Sequence, residues 1–185
     1  MLQESHRDPA TRVLDALDRY DFKKSPIAFN ILYDALEEHT LRELDATVAF
    51  ESSTFPAILT VDTSEHPLCF AFALAVKLIR TSAPSAPIVV SATLKEDTVH
   101  ITMHAETNGI PLKDLFAEQR TIFEHLAHIA RFEILLELSK TAVSVTYSIP
   151  LYNSSSFQLH TVSHIDLADI FGLAAAYVNE ITNEK

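Results

Sequence analysis

The chain has 185 residues, of which 48% are hydrophobic and 21% are charged, and its formal net charge is −11. These proportions are typical of one folded globular domain and exclude a disordered or fibrous chain. The negative charge, without a basic stripe, argues against nucleic acid and anionic membrane surfaces as partners and favours a basic protein partner.

The first third of the chain predicts two helices and two short strands. The segment "DPATRVLDALDRYDF" places Asp8 at an N-cap and Pro9 at the first helical position, so it predicts an amphipathic helix. Ser25 and Pro26 repeat this start signal for a second helix that runs to about Leu41. The segments "DATVAFES" and "FPAILTVD" predict a strand and a shorter extended piece.

The rest of the chain predicts three more helices and two hairpins. The segment "SEHPLCFAFALAVKLIRTS" begins at Ser64 and is apolar nearly all round, which is typical of a buried helix. "IVVSATL" and "TVHITMHA" predict a hairpin joined by "KEDT", and the turn "NGIP" ends it. "EQRTIFEHLAHIARFEILLELSK" predicts one long helix. "TAVSVTYSIPL" and "SSFQLHTVS" predict a second hairpin, and "HIDLADIFGLAAAYVNEI" predicts a last amphipathic helix.

This order of elements predicts an α/β fold. The economical arrangement is a two-layer sandwich, in which a mixed, mostly antiparallel sheet carries helices on one face, with a short N-terminal helix and a C-terminal helix added. The last helix has an apolar stripe that we expect to pack mostly within the chain. Its residues are Leu167, Ile170, Phe171, Ala174 and Val178.

Glycine and cysteine usage narrow the classes of site. Only two of the 185 residues are glycine, so the chain lacks the glycines of a P-loop or a dinucleotide-binding fingerprint. Cys69 is the single cysteine and lies in an apolar run, which predicts a buried, inert thiol. No apolar run has the length of a membrane-spanning helix, and the segment after Met1 is polar, so we expect a cytoplasmic protein.

Several segments carry a family resemblance. "PIAFNILYDALEEHTLRELDATVAFESSTFPAILTVDTSEHPLCFAFALAVKLIRTS" is followed by "APIVVSATLKEDTVHITMHAETNGIPLKDLF", "ILLELSKTAVSVTY" and "SSFQLHTV". From Ser25 to Val162 this order resembles the ATP-binding domain of histidine kinases, the GHKL or Bergerat-fold group. The resemblance covers the first helix, a strand, a segment ending at Asp62, the N-box helix, a hairpin that ends in a G1-like Gly-Ile-Pro, and the closing elements.

The resemblance implies that the signature residues of the ATP site are lost. The N-box Asn that holds Mg²⁺ in the family falls at Val76, with Lys77 beside it, and Mg²⁺ requires oxygen ligands. The G1 Asp that reads adenine falls at Ala105, and the next glycine falls at Thr107. Gly109 remains as a structural turn. The glycines of the later box fall near Leu126 and His128, and the segment before that helix is too short for the usual lid.

We therefore expect a remnant groove that binds no cofactor. Its residues are Val76, Lys77, Ala105, Thr107, Gly109 and Ile110. By the resemblance, residues 25–185 form a degenerate ATPase-like domain with a C-terminal helix. Residues 1–24 form an N-terminal helix that serves a homodimer or a partner, through Val13, Leu14 and Leu17. The leading hypothesis is a non-catalytic interaction module of bacterial signalling, whose partner is a receiver domain, a phosphotransfer helix or a sigma-factor-like protein.

Two alternative functions remain open from the sequence. The first is an aberrant nucleotide-binding kinase or ATPase that uses Lys77, Glu106 and Thr107 in place of the lost groups. The second is a small-ligand sensor whose former nucleotide pocket, lined by Val76, Ala105 and Ile110, accepts an apolar molecule.

The sequence contains three further sets of polar residues that are candidates for a functional role. "SHRDP" makes His6 a weak phosphoacceptor candidate at a terminus that is expected to fray. The pairs His125 with His128 and His100 with His104 lack further ligands at metal-binding spacing, so we expect no metal site. The acidic residues Asp34, Glu37 and Glu38 stand at helical spacing and predict a solvated face.

Overall fold

The structure is a computed structural model that describes residues 8–20, 25–52, 55–57, 59–108, 113–153 and 161–183. The α-helices within these residues are α1 (Pro9–Leu17), α2 (Phe29–His39), α3 (Glu65–Ser82), α4 (Lys113–Glu118), α5 (Arg120–Ala130) and α6 (His164–Asn183). The strands are β1 (Ser25–Ala28), β2 (Ala49–Phe50), β3 (Thr60–Thr63), β4 (Ile88–Lys95), β5 (Thr98–Glu106), β6 (Glu133–Leu138) and β7 (Ala142–Pro150). None of the described helices is long and apolar enough to span a membrane.

Five of the described strands form one sheet in the order β2-β4-β5-β7-β6. Strand β2 pairs with β4 in parallel, and every other pair in this sheet is antiparallel. Strands β1 and β3 form a separate antiparallel pair. The predicted mixed, mostly antiparallel sheet is therefore confirmed.

The core lies between one face of the sheet and the helices. Along β5 the residues Val99, Ile101, Met103 and Ala105 are fully buried and alternate with exposed or half-buried residues. Helix α3 packs in this layer, and the Tyr147 hydroxyl on β7 donates a hydrogen bond of 3.1 Å to the carbonyl oxygen of Ala71. Burial raises the pKa of this hydroxyl, which keeps it protonated as a donor. The predicted two-layer α/β sandwich is confirmed.

The two terminal helices pack within the chain. Helix α6 lies along α3, and α1 lies against α6. The apolar stripe of α6 is fully buried, as expected. On α1, Val13 and Leu17 are buried within the chain's own core and Leu14 is half-buried. The dimer or partner role of this helix stays a prediction. Cys69 is buried, and burial raises the pKa of its thiol well above the usual value, as an inert thiol requires.

The second helix begins later than the sequence predicts. The helix was expected from Ser25 and Pro26, but these residues belong to β1, which pairs with β3. Proline is tolerated there because a two-stranded ribbon leaves one edge of each strand unpaired. Helix α2 ends at His39 and continues as a π-helical turn, Thr40–Leu44. The expected strands in "DATVAFES" and "FPAILTVD" are confirmed in shorter form as β2 and β3.

The predicted long helix from Glu118 to Lys140 is wrong. Helix α5 ends at Ala130, since Arg131 takes a left-handed conformation with φ 57°, and "EILLEL" forms β6. Strand β7 pairs with β5 and β6, so the second hairpin is β6-β7. Of the expected partner "SSFQLHTVS", residues 155–160 lie outside the described part, and residues 161–163 form no strand.

Candidate functional site

The predicted groove residues lie on two elements of the core. Val76 and Lys77 are on α3, Ala105 is on β5, and Thr107 follows that strand. Val76 and Ala105 have no exposed surface, Thr107 is 2% exposed, and Lys77 is half-buried. Gly109 and Ile110, like His6, lie outside the described residues. Val76, Ala105 and Thr107 are therefore part of a packed interior, whereas Lys77 is partly exposed.

Helix α3 is surrounded by other elements along most of its length. It packs against α6, α5 and the π-helical turn. Thirteen of its residues are buried, including Glu65 in the first turn. A side chain at Val76 therefore meets protein atoms, and a ligand would have to displace part of this packing to reach it.

The end of β5 is tied to the neighbouring hairpin. The Thr107 amide donates a hydrogen bond of 2.8 Å to the carbonyl oxygen of Thr141, in the turn between β6 and β7. Asn108, the next residue, is left-handed with φ 49°. Because β5 alternates, Ala105 faces the core and Glu106 faces the outer side of the sheet, while Thr107 is buried again.

Helix α6 also reaches the junction between α4 and α5. The Tyr177 hydroxyl donates a hydrogen bond of 2.5 Å to Oε1 of Gln119, which is buried between the two helices. Burial, with smaller contributions from Asp8, Glu180 and Glu118, raises the pKa of Tyr177 to about 12. The hydroxyl thus stays a donor, and α6 fixes a junction close to the start of α5.

Two polar clusters that the sequence did not predict hold this closed region together. Arg80 at the end of α3 forms an ion pair with Asp45, and its guanidinium also donates to the carbonyl oxygen of Ala86 and, at 3.0 Å, to Oγ1 of Thr47. Burial alone would raise the pKa of Asp45, but the hydrogen bonds from Thr47 and Arg80 lower it below its usual value. Long-range ion pairs of this kind leave no local signal in the sequence.

The second cluster joins α2 to α6. Nε2 of the buried His39 lies 3.2 Å from Nδ1 of His164, and the His39 ring lies against Phe171 with centroids 5.6 Å apart. Burial first, and then the charge of Arg42, lower the pKa of His39. His39 is therefore held neutral within the fold.

The remaining predicted polar residues lie apart. His100 and His104 share the outer face of β5, where Nδ1 of His100 lies 2.9 Å from Oγ of Ser148. His125 and His128 are exposed on α5. No group of three or more metal-ligating side chains occurs among the described residues. Of the three acidic residues on α2, Asp34 and Glu38 are exposed and Glu37 is half-buried, and Glu38 pairs with Arg42 at 3.1 Å.

An open apolar groove lies between β6 and the helices α4 and α5. Its volume is about 370 Å³. The sequence did not predict it, because β6 was expected to be helical. The lining residues are Phe116, Ala117, Arg120, Phe123, Glu124, Ile134, Leu136, Leu138 and Val145.

Comparison with known proteins identifies the fold. The chain is similar to the ATP-binding domain of PrrB from Mycobacterium tuberculosis, with 14% identity over 69% of this chain and 97% of that one, at a TM-score of 0.52. It is also similar to the histidine kinase domain of the E. coli osmosensor EnvZ, with 12% identity over 78% of this chain and 99% of that one, at a TM-score of 0.50.

A third similar structure is the histidine kinase ThkA in complex with the response regulator TrrA, with 12% identity over 76% of this chain and 46% of that one, at a TM-score of 0.54. No protein-family model and no curated protein sequence matches the chain. The fold is that of histidine kinase ATP-binding domains, as the sequence resemblance implied.

Proposed function

We propose that this chain is a non-catalytic protein-interaction module of bacterial signal transduction that has lost ATP binding and acts in the cytoplasm. The observation that supports the loss most directly is Val76. The resemblance places the family's metal-holding Asn there, and the residue is an aliphatic side chain with no exposed surface, on a helix covered by α6.

The surrounding residues support the same conclusion. Neither Val76 nor Ala105 offers the oxygen ligands that Mg²⁺ requires. Lys77 adds a positive charge beside the position, which opposes the binding of a cation. The Thr107 amide is already bonded to Thr141, so it is not a free donor for a phosphate.

The two alternatives receive less support from the geometry. A substitute nucleotide site would bring Glu106 and Thr107 to one ligand, but strand alternation places them on opposite faces of the sheet. A sensor pocket would be lined by Val76 and Ala105, and both are fully packed.

The partner is proposed to be a signalling protein. The structure of ThkA bound to a response regulator contains a domain of this fold, which makes a receiver domain the first partner to test, before a phosphotransfer or sigma-factor-like protein. A basic face on that partner would complement the net charge of −11.

The decisive experiment is a thermal-unfolding titration with Mg-ATP and Mg-ADP, run beside an ATP-binding histidine kinase domain as the positive control. A nucleotide that binds only the native state stabilises it by about 2.7 kcal/mol at a hundredfold excess over Kd. We expect no shift for this chain at millimolar nucleotide. A clear upward shift that Lys77→Met abolishes would contradict the loss of ATP binding. Co-purification that returns neither a partner nor a dimer would contradict the interaction role.

A further inference from the structure

Strand β6 is one of the two edge strands of the main sheet, and β2 is the other. Among the described strands β6 pairs only with β7, so one side of its backbone presents unpaired amide and carbonyl groups. Such an edge accepts an added strand by backbone hydrogen bonds, and side-chain pockets then select the sequence of that strand.

One face of β6 opens into the apolar groove defined above. Ile134, Leu136 and Leu138 point to the core side, because they stand opposite the buried Tyr147, Val145 and Val143 of β7. All three β6 side chains are only half-buried. The groove continues to Phe116 and Phe123 on the helices. An added strand would place every second side chain over this apolar surface, so these side chains must be apolar.

The other face of β6 carries a pattern of charge. Glu133 and Glu137 are exposed and flank Leu135, which is 56% exposed. Residues directly opposite on an added strand would therefore be cationic, apolar and cationic in turn, since opposite charges across strands attract and like charges repel. The nearest cation of the groove, Arg120, is already paired with Glu124 at 2.6 Å.

The same pattern disfavours a second copy of this chain. An antiparallel β6-β6 pairing centred on Leu135 would set Glu133 of one copy opposite Glu137 of the other. A shift by two residues would set Leu135 opposite Glu137. Both registers oppose like charges or leave a carboxylate against an apolar side chain.

We propose that β6 binds an extended segment of a partner protein in which apolar residues alternate with cationic ones. This inference rests on the proposed function as an interaction module, and it names the surface and the chemistry of the partner. The apolar residues fill the groove beside α5, and the cationic residues pair with Glu133 and Glu137.

The test uses the full chain and a capped nine-residue peptide in which valine alternates with lysine, with leucine at the centre of the lysine face. In NMR titrations we expect amide shifts confined to β6 and the groove side of α5, and slower hydrogen exchange along β6. A peptide with glutamate in place of lysine should bind at least about tenfold more weakly. Binding of the lysine peptide should weaken as ionic strength rises.

Charge reversal provides the matched variants. Glu133→Lys with Glu137→Lys should weaken the lysine peptide about tenfold or more, while Asp34→Lys with Glu51→Lys, two exposed carboxylates elsewhere with the same change in net charge, should leave its affinity unchanged. Equal loss in both double variants, equal binding of the glutamate peptide, or amide shifts outside β6 and the groove side of α5 would overturn the proposal.

Two further outcomes would overturn it in a way that identifies the real occupant. If the β6 amides that point away from β7 exchange slowly without peptide, the edge is already covered, and sedimentation then shows whether the cover is a second copy or a segment of the same chain. If the peptide fails while a signalling protein still co-purifies, only this inference falls. A shift with Mg-ATP contradicts the proposed loss of ATP binding but leaves the peptide titration readable.

Discussion

Helix α3 and strand β6 are both built from apolar sequence, yet one is closed and the other is open. Most of α3 is fully buried, because the sheet lies on one side of it and α6 covers another. The core-facing side chains of β6 are half-buried, and Leu135 on its outer face is exposed. Apolar sequence alone therefore does not decide which surface is closed. The element that packs over the surface decides it, and for α3 this element is α6, which is distant in the sequence.

This difference separates stability from recognition. The family resemblance points to α3 as the binding site, but thirteen of its residues are buried, so the helix is mainly a structural centre. At β6, a sheet edge on which no second described strand pairs lies beside half-buried apolar side chains, so binding energy is still available there.

The largest expected effect comes from removing the cover of α3. Phe171→Ala deletes a fully buried aromatic ring of α6 that lies against His39. We expect the free energy of unfolding to fall by about 3–5 kcal/mol, because the change combines lost burial with a cavity. Urea unfolding followed by far-ultraviolet circular dichroism measures it.

Ile165→Ala is the control on the same helix, since Ile165 is 79% exposed. Its effect on the free energy of unfolding should stay within about 0.5 kcal/mol. If both variants unfold at the wild-type urea concentration, α6 does not close α3 in solution, and the contrast between the two regions disappears.

A smaller effect should come from two ion pairs, one in each region. Arg80→Met breaks the pair with Asp45, where both side chains are largely buried. It leaves a carboxylate without its main partner, so we expect a loss of about 2–3 kcal/mol in the free energy of unfolding. Arg120→Met breaks the exposed pair with Glu124 at the β6 groove and should leave urea unfolding unchanged. Equal losses would show that the groove rim is as closed as the α3 region.

The elements that sequence reasoning predicted carry their signals locally. Ser64 and a long apolar run define α3, the charged turn "KEDT" defines the β4-β5 hairpin, and an amphipathic period defines α6. The two-layer fold follows from their order. These elements could be predicted because each depends on residues that are close in the sequence.

The elements that were missed depend on distant partners. β1 carries a helix start signal at Ser25 and Pro26, but pairing with β3 makes it a strand. "EILLEL" continues the apolar residues of α5, and only the left-handed Arg131 and the pairing with β7 separate it. Because β6 was predicted to be helical, the groove beside it was not predicted either.

The smallest effect is a pH dependence at the contact between α2 and α6. Arg42 can only donate, and its Nη2 lies 3.4 Å from Nδ1 of His39, so that nitrogen acts as the acceptor and Nε2 donates to His164. A second proton on His39 would face the arginine from within a buried site. This is why burial and Arg42 lower the pKa of His39 below its usual value of 6.5.

At a pH between its folded and unfolded pKa values, a histidine whose pKa is lower in the folded state is neutral in the folded chain and takes up a proton on unfolding. The stability it preserves is therefore present above about pH 6.5 and is lost as the pH falls from there to the lower folded pKa. Urea midpoints measured between about pH 8 and 5 should decline through this window in the wild type and decline less in His39→Gln. His125→Gln, which changes an exposed histidine of α5, should keep the wild-type slope. Parallel curves for all three proteins would mean that His39 accepts a proton in the folded chain as easily as in the unfolded one, so that the contact between α2 and α6 is open to water.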